Sequence, residues 1–223
     1  MIKFHPSPEQ LSQFAEGTLS AVESIMVSAH CDMCERCQKR VAAEVERLAE
    51  DVLETLKVEH HYEFESMLAG ITQLPAAESI IATPVERAQA IELDGRTFPL
   101  PRTLQRLADK TGNWSSLVGR LWQAPVDLGN QGVANFIYME KGGSVPEHTH
   151  RGTEFTLVIN GEFSDGLNAY DSGDFIFMDG EKTHAPRSDA PEGCLVFSIV
   201  DQPLHFTSGL ARLLNPFSHL FFR

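Results

Sequence analysis

The sequence predicts an α+β multidomain chain, in which a small helical bundle precedes an all-β domain. Apolar residues recur at spacings of three and four within the first 73 residues, as they do on amphipathic helices. After residue 101, short apolar runs bounded by Gly and Asp dominate instead, as they do in sheet proteins. With 42% hydrophobic residues in a chain of 223, the chain can bury a proper core.

The first helix is predicted to begin at Pro8. Ser7 is a favourable N-cap, proline suits the first helical position, and Gln10 occupies the place that completes a capping box. Gly17 provides a natural end, because glycine readily adopts the left-handed conformation found after helices. We therefore expect a short helix that begins after Ser7 and ends at Gly17.

Three further helical segments follow. Ser20 and Glu23 repeat the capping-box pattern and begin a second helix that extends to His30. A long third helix is predicted from apolar residues on one face, namely Val41, Val45, Leu48, Val52 and Leu56. A short fourth segment, which we expect to close the bundle, carries Phe64, Met67, Leu68 and Ile71.

Composition divides the chain into four parts. Residues 1–74 are assigned to the helical domain. Residues 75–101 contain four prolines and few periodic apolar positions, so we interpret them as a linker with room for a short helical piece. Residues 102–205 form the β domain, and residues 206–223 form a C-terminal tail.

Four strands are predicted with particular clarity in the β domain. Each is short, apolar and rich in β-branched or aromatic residues, and clusters of Gly and Asp separate them; they are Val133–Met139, Phe155–Ile159, Phe175–Met178 and Cys194–Val200. Short strands at this spacing indicate a sandwich or a barrel.

A first candidate metal group lies near the N-terminus, where His30, Cys34 and Cys37 follow the spacing H-x3-C-x2-C. Such crowding of cysteines, in a chain without a secretory signal, favours metal or redox chemistry over a disulfide framework. Tetrahedral zinc needs a fourth ligand. Cys31 directly follows His30 and would point off the shared helical face, so His5 is the predicted fourth ligand.

A redox pair is the alternative interpretation of Cys34 and Cys37. That motif usually lies beside a βαβ unit, which the predicted pattern lacks, so we favour zinc. The two interpretations can coexist, because oxidation of the thiolates would expel the metal. Cys31 would then be a resolving partner or a spare thiol, and Cys194 is expected to be a buried thiol.

A second candidate metal group contains no thiolate. His148 and His150 alternate, so on a strand both side chains point to the same face. Glu154 follows at an even step, and His184 comes after a later strand as a fourth ligand. This set suits Zn, Fe, Mn, Ni or Cu without choosing among them. No further carboxylate or lysine forms an evident acid–base partner, and we expect no enzyme, although an open metal position could activate water or oxygen.

Charge and hydropathy limit the partners. The formal net charge of −13 argues against direct nucleic-acid binding, which needs Lys and Arg for phosphates, and favours a basic protein partner. No apolar run is long enough to span a bilayer, and no secretory signal is visible. We therefore expect a cytoplasmic protein with no membrane partner.

The second group resembles the first motif of the cupin superfamily, with every position filled: Gly142-x5-His148-x-His150-x3-Glu154-x6-Gly161. The resemblance implies a cupin barrel, also called a double-stranded β-helix.

The second cupin motif is only partly kept. Gly173 and His184 stand at the right separation, but its Pro, second Gly and Asn are replaced by Asp179, Glu181 and Ser188. This departure touches no ligand, but it weakens the transfer of any particular cupin enzyme activity to this chain.

The first group, with its preceding histidine, resembles the zinc-binding anti-sigma domain. Joined to a C-terminal cupin, the chain is similar to the ChrR-type family of anti-sigma factors. The resemblance covers most of the chain, including the tail. It implies an N-terminal zinc on His5, His30, Cys34 and Cys37, and a second metal, again zinc, on His148, His150, Glu154 and His184.

The same resemblance implies a function. Such proteins bind and inhibit a cytoplasmic sigma factor of the extracytoplasmic-function group, and release it on oxidative stress such as singlet oxygen. The main alternative is a cupin-type metal-dependent dioxygenase with a helical zinc-binding domain, which would hold iron and turn over substrate at the second group. A regulator that contacts DNA is disfavoured by the charge and by the lack of a basic recognition helix.

Overall fold

The protein is described from a computed structural model. It describes residues 1–55, 62–75, 89–117, 120–129, 133–209, 212–213 and 215, without the side chains of residues 62 and 63. Among these described residues, the N-terminal part contains four helices: α1 (Pro8–Glu16), α2 (Ala21–Met33), α3 (Glu35–Thr55) and α4 (Tyr62–Thr72).

Helix α1 has the ends that the sequence predicts. The Ser7 hydroxyl accepts a hydrogen bond from the Gln10 amide at 3.1 Å, and the Gln10 side-chain oxygen accepts one from the Ser7 amide at 2.9 Å. Gly17 ends the helix in the left-handed conformation, with φ of 73°. The capping box and the glycine stop are both confirmed.

The junction between α2 and α3 positions the first candidate metal group. Cys34 adopts an extended conformation between the two helices, while its amide still donates to the His30 carbonyl at 2.8 Å. The chain therefore turns within one residue, and α3 begins at Glu35. This break places His30, Cys34 and Cys37 around one point, although no continuous helix connects them.

Helix α4 forms as predicted but does not close the bundle. Over the described residues, its large apolar side chains face outward: Phe64 is 59% exposed, Met67 56%, Leu68 48% and Ile71 57%. Instead, α1 packs on α2 and α3, α2 packs on β8, and one hydrophobic core contains residues of both parts, including Met26, Val27, Phe155 and Phe175. The expected bundle closure is wrong because the β domain takes its place. Leu56 lies outside the described residues.

Part of the expected linker is a β-hairpin. Strands β1 (Ala90–Leu93) and β2 (Arg96–Pro99) pair antiparallel around Asp94 and Gly95, which have φ of 50° and 75°. Two successive positive φ values are typical of the tight hairpin turn that Asp-Gly favours. Ile91, Leu93 and Phe98 are buried in the common core. These residues thus belong to the packed structure and do not act as a spacer; residues 76–88 lie outside the described part.

The remaining elements form the β domain: α5 (Arg102–Gln105), a 3₁₀ turn (Ala108–Lys110), β3 (Ser115–Leu117), β4 (Leu121–Val126), β5 (Val133–Met139), β6 (Gly143–Ser144), β7 (His148–Thr149), β8 (Glu154–Ser164), β9 (Ala169–Asp171), β10 (Phe175–Met178), β11 (Arg187–Ser188), β12 (Cys194–Val200) and β13 (His205–Phe206). Three of the four clearly predicted strands have the predicted bounds, and the fourth, β8, is longer.

The strands curl into an antiparallel half-barrel of the cupin type. The main sheet has the order β3-β4-β5-β12-β8-β11-β6, with β9 and β10 also paired to β8. Strand β13, at the start of the predicted tail, pairs with β7 and so reaches the strand that carries His148. The predicted fold class, a helical N-terminal part followed by an all-β cupin, is confirmed. Among the described residues, no helix is long and apolar enough to cross a lipid bilayer.

Candidate metal centres

The first group brings together all four residues that the sequence predicts. The His5 Nδ1 atom lies 3.4 Å from His30 Nε2, 3.5 Å from Cys34 Sγ and 3.4 Å from Cys37 Sγ. His30, Cys34 and Cys37 are buried. Cys31 is outside this group, whose donor atoms all lie within 4.8 Å of one another. The structure thus places His5, and not Cys31, beside the other three.

These distances fit a tetrahedral zinc ion. Zn–N bonds of about 2.0 Å and Zn–S bonds of about 2.3 Å, at tetrahedral angles, separate two nitrogens by about 3.3 Å and a nitrogen from a sulfur by about 3.5 Å. The observed separations of 3.4 and 3.5 Å agree with both values. The arrangement therefore has the size and the donor set of a structural zinc site.

The electrostatics of the first group also favour a bound cation. Burial lowers the pKa of His30 to about 4, which keeps its imidazole neutral and available as a ligand. Burial and the neighbouring Cys34 raise the pKa of the Cys37 thiol to about 11. Two thiolates at this place are costly unless a cation compensates them, and a coordinated metal ion deprotonates thiols outright.

The second group likewise assembles the predicted residues. The Nε2 atom of His184 lies 2.9 Å from His148 Nε2 and 2.9 Å from His150 Nε2. Glu154 Oε2 lies 3.0 Å from His150 Nε2. Strand β7 supplies His148, the residue after that strand is His150, and β8 begins at Glu154. His184 reaches them through reciprocal backbone hydrogen bonds with His148, each of 3.0 Å. The four side chains therefore converge from separate segments onto one point inside the half-barrel.

The proton inventory of the second group also fits a metal ion. His148 Nδ1 lies 2.8 Å from the Pro146 carbonyl, so it carries the proton and Nε2 carries a lone pair. His184 Nε2 carries at most one proton, so it cannot donate to both of its imidazole neighbours, and the close contacts of His150 with His184 and Glu154 cannot both be hydrogen bonds in the same neutral state. Burial, followed by the charge of His184, lowers the pKa of His148 to about 4 and keeps its ring neutral.

Glu154 supplies the negative charge of the second group. Burial alone would raise the pKa of this carboxyl, but the hydrogen bond with His150 and the surrounding imidazoles hold it well below its usual range. An ionised carboxylate beside neutral imidazoles is the donor set of a divalent-metal site.

Three polar residues that the sequence did not single out support these ligands. Thr156 and Ser198 each donate a hydrogen bond of 2.9 Å to Glu154 Oε1. Asp165 Oδ2 lies 3.8 Å from His184 Nδ1 and is buried. In the sequence, Thr156 and Ser198 could have been noticed as hydroxyl residues within otherwise apolar strands. Asp165, by contrast, resembles an ordinary turn residue.

An apolar cavity of about 60 Å³ adjoins the second group. His148, Glu154 and His184 form its polar end, and its other walls include Met139, Phe163, Ile176, Met178 and Val196. The cavity lining contains Asp165 and Tyr170 as its further ionisable side chains, and these two bind each other at 2.9 Å. The second candidate metal group thus lies at the polar end of an otherwise largely apolar cavity.

The fold and the two donor groups define a class: a cupin-type β domain fused to a helical domain with a zinc-type His/Cys group. Residues 108–202 match the family described as ChrR cupin-like domain. The chain is 30% identical to the anti-sigma-E factor ChrR of Cereibacter sphaeroides, over 97% of this chain and 98% of that protein. It is also similar to a chain in the crystal structure of Rhodobacter sphaeroides SigE in complex with the anti-sigma ChrR, with a TM-score of 0.66, 27% identity, and coverage of 90% of this chain and 100% of that one.

The chain therefore belongs to the ChrR family of anti-sigma factors. The family resemblance drawn from the two motifs is confirmed. Membership makes the protein a regulator and not an enzyme, as the sequence predicted, and the dioxygenase alternative is not favoured.

Proposed function

We propose that this protein binds and inhibits a sigma factor of the extracytoplasmic-function group in the cytoplasm, and so regulates transcription initiation without contacting DNA. The proposal rests on the similarity of almost the whole chain to the anti-sigma-E factor ChrR. It also rests on the similarity to a chain from the crystal structure of SigE in complex with ChrR. The helical domain, residues 1–74, is the proposed partner-binding part, and the cupin domain, residues 102–205, is the proposed sensor.

The apolar face of α4 supports a protein partner. Phe64, Met67, Leu68 and Ile71 are exposed on one short helix, and Leu74 just beyond it is 67% exposed. Exposed apolar side chains clustered in this way mark interaction surfaces. An amphipathic helix that lays such a face into a groove is a recurrent mode of protein recognition.

The charge of the helical part supports a basic partner. Residues 1–73 contain thirteen acidic and six basic side chains. Sigma factors use basic surfaces for DNA, and an acidic domain can occupy such a surface through complementary potential. Electrostatics would thus guide the encounter, while the apolar face of α4 would provide contact area.

We further propose zinc on His5, His30, Cys34 and Cys37, and a second metal, proposed as zinc, on His148, His150, Glu154 and His184. When bound, the first ion would hold the segment before α1 against the junction of α2 and α3. Structural zinc binding is worth about 10–16 kcal/mol in small domains, so its loss can change the local fold. The fit of donor types and distances supports both assignments.

Oxidative stress, such as singlet oxygen, is the proposed signal for release. Cys34 and Cys37 are the oxidisable ligands, and oxidised sulfur no longer binds zinc. Turning a nearly complete complex into a nearly complete release requires a change in binding preference of about 5.5 kcal/mol. The free energy of a structural zinc site exceeds that requirement.

A transcription assay tests the proposed function. The fully metallated chain would be titrated into RNA polymerase with a candidate extracytoplasmic-function sigma factor, ideally one encoded beside this protein. We expect stoichiometric inhibition, and no inhibition of the same polymerase with a housekeeping sigma factor. A fully metallated chain that leaves transcription by every neighbouring candidate unchanged would overturn the proposal.

A further inference from the structure

The first candidate metal group contacts a turn of the β domain. His30 Nδ1 lies 2.8 Å from the carbonyl oxygen of Gly173, in the turn between β9 and β10. A carbonyl only accepts hydrogen bonds, so Nδ1 carries the proton and Nε2 presents its lone pair toward His5. The tautomer that a metal ligand needs is therefore set by a backbone group of the other domain.

The same turn fixes the segment that carries His5. We call residues 2–5 the N-terminal strap. The amides of Lys3 and Phe4 donate to Asp174 Oδ1 at 2.6 and 3.0 Å, and the Phe175 amide donates to the Phe4 carbonyl at 3.0 Å. Asp174 is 0% exposed. A buried carboxyl group needs hydrogen-bond donors for its oxygens. The strap amides provide such donors, so Asp174 and the strap hold each other in place.

A glycine in the turn gives the strap room to approach closely. Gly173 has φ of 91°, a conformation that side-chain-bearing residues rarely adopt. A Cβ atom at this position would collide with the side chain of Ile2. The turn is therefore shaped to receive the strap as well as His30.

We propose that Gly173 and Asp174 of the β domain are positioning residues for the N-terminal metal group. Through them, the cupin part sets both histidine ligands, His30 by a backbone carbonyl and His5 by the anchored strap. Groups that orient metal ligands typically change metal affinity by about 10–100-fold when they are removed. Retention of the N-terminal metal is thus a property of both domains, a statement that rests on the proposed zinc assignment above.

Two variants of the full chain distinguish the positioning role of the Lys3 amide from any effect of the charged Lys3 side chain. Lys3→Pro removes the amide that donates to Asp174, whereas Lys3→Ala keeps that amide and removes the side chain, which binds Asp171 and the Ala169 carbonyl. Neither variant alters the β domain itself. Asp174→Ala removes the acceptor from the opposite side, and its folding would be checked by thermal unfolding.

The readout is the rate at which cobalt leaves the thiolates. Cobalt(II) loaded into the first group gives sulfur-to-metal charge-transfer absorption, which a thiolate-free second group does not contribute. On addition of excess chelator, we expect loss of this absorption at least about tenfold faster in Lys3→Pro than in the wild type. Lys3→Ala should stay close to the wild-type rate. Thermal unfolding midpoints of the metal-free wild type, Lys3→Pro and Lys3→Ala should agree, since a bound metal adds most stability to the protein that holds it best.

Equal release rates in Lys3→Pro, Lys3→Ala and the wild type would overturn the positioning role. A wild-type chain that shows no thiolate–cobalt absorption would instead overturn the metal assignment in the first group, and this inference with it. The two failures are thus distinguishable.

Discussion

The hydroxyl of Ser198 donates a hydrogen bond of 2.9 Å to Oε1 of Glu154, across the pairing of β12 with β8. Thr156 donates a second bond of 2.9 Å to the same oxygen. Oε1 is therefore occupied by two hydroxyls, and Oε2 is the oxygen that faces His150 at 3.0 Å. The two hydroxyls orient the carboxylate for a ligand role.

Removing both hydroxyls should weaken the second metal site. For Ser198→Ala combined with Thr156→Val, we expect affinity for the second metal to fall by about 10–100-fold, the usual effect of lost ligand-orienting groups. Competition with a chelator of known affinity measures it. Ser188→Ala is the matched control, since that buried hydroxyl donates to the Glu162 carbonyl at 2.7 Å and not to a ligand. Equal affinities in the double variant and the control would refute the orienting role.

Two glycine substitutions should separate backbone strain from close packing in β8. Gly161 and Gly95 both have positive φ, of 82° and 75°. A Cβ at Gly161 would collide with the Gly193 carbonyl, whereas a Cβ at Gly95 would meet no atom within 4 Å. We expect Gly95→Ala to cost about 1 kcal/mol from strain alone. Gly161→Ala should cost about 1–3 kcal/mol more, because the strand must shift.

Urea unfolding of the two metal-loaded variants measures this difference. Similar losses of stability would mean that β8 and the turn before β12 can separate without cost. That result would contradict the close approach at this cupin-motif glycine.

Cys194 should make stability fall at alkaline pH. The thiol is 0% exposed, and burial raises its pKa well above the ordinary range. Above about pH 8.5 the thiol of the unfolded chain loses its proton while the folded one keeps it, so the folded state is disfavoured as pH rises. The stabilising effect of this thiol is complete below about pH 8.5 and declines by about 1.4 kcal/mol per pH unit above it.

Unfolding free energies of the wild type and Cys194→Ala, measured by urea across this range, isolate the contribution. The variant loses buried volume at every pH, but it should lose less stability than the wild type as pH rises. Parallel pH profiles would show that the folded thiol ionises as readily as the unfolded one.

The strands that the sequence predicted best are buried at most of their positions, and β12 is buried at all of them. β5, β10 and β12 are nearly continuous apolar runs, and such runs leave little doubt about where a strand begins and ends. β8 is longer than predicted because Asn160 and Gly161 look like a turn. In the structure, the pairing of β8 with β12 shifts register beside these residues, so the strand passes through a bulge.

The donor residues of both metal groups could be predicted because their chemistry is specific, whereas their supporting residues could not. Ser198 meets Glu154 only through the register of β12 on β8, which no local spacing reveals. Gly173 meets His30 across 143 residues of sequence. The outward face of α4 was also missed, because an apolar helix face fits a bundle core and a partner surface equally well.

The apolar face of α4 should be required for the partner and dispensable for folding. Met67 and Ile71 lie one turn apart and are both more than half exposed. We expect Met67→Glu with Ile71→Glu to weaken binding of the cognate sigma factor by about 2 kcal/mol or more, as at interface hot spots. Leu167→Glu, an equally exposed leucine of the β domain, is the control. Binding titrations that give the same affinity for both variants would exclude α4 from the interface.

The two metal groups should be energetically coupled through Tyr170. Its ring lies 4.8 Å from that of Phe4 in the strap, and its hydroxyl donates at 2.9 Å to Asp165, which faces His184. Removing the second metal should therefore speed metal release from the first group, by about 5–150-fold if the coupling has ordinary strength.

Tyr170→Phe keeps the ring contact and removes the hydroxyl, so it should reduce this acceleration. The measurement is a double-mutant cycle: release of cobalt from the thiolates in four proteins, with and without His148→Ala/His150→Ala and with and without Tyr170→Phe. If the histidine substitutions and Tyr170→Phe change the release rate independently, their effects will multiply. That result would show that the second metal affects the first group by a route that does not include the Tyr170 hydroxyl. An interaction larger than the error would identify that hydroxyl as part of the connection between the two candidate metal groups.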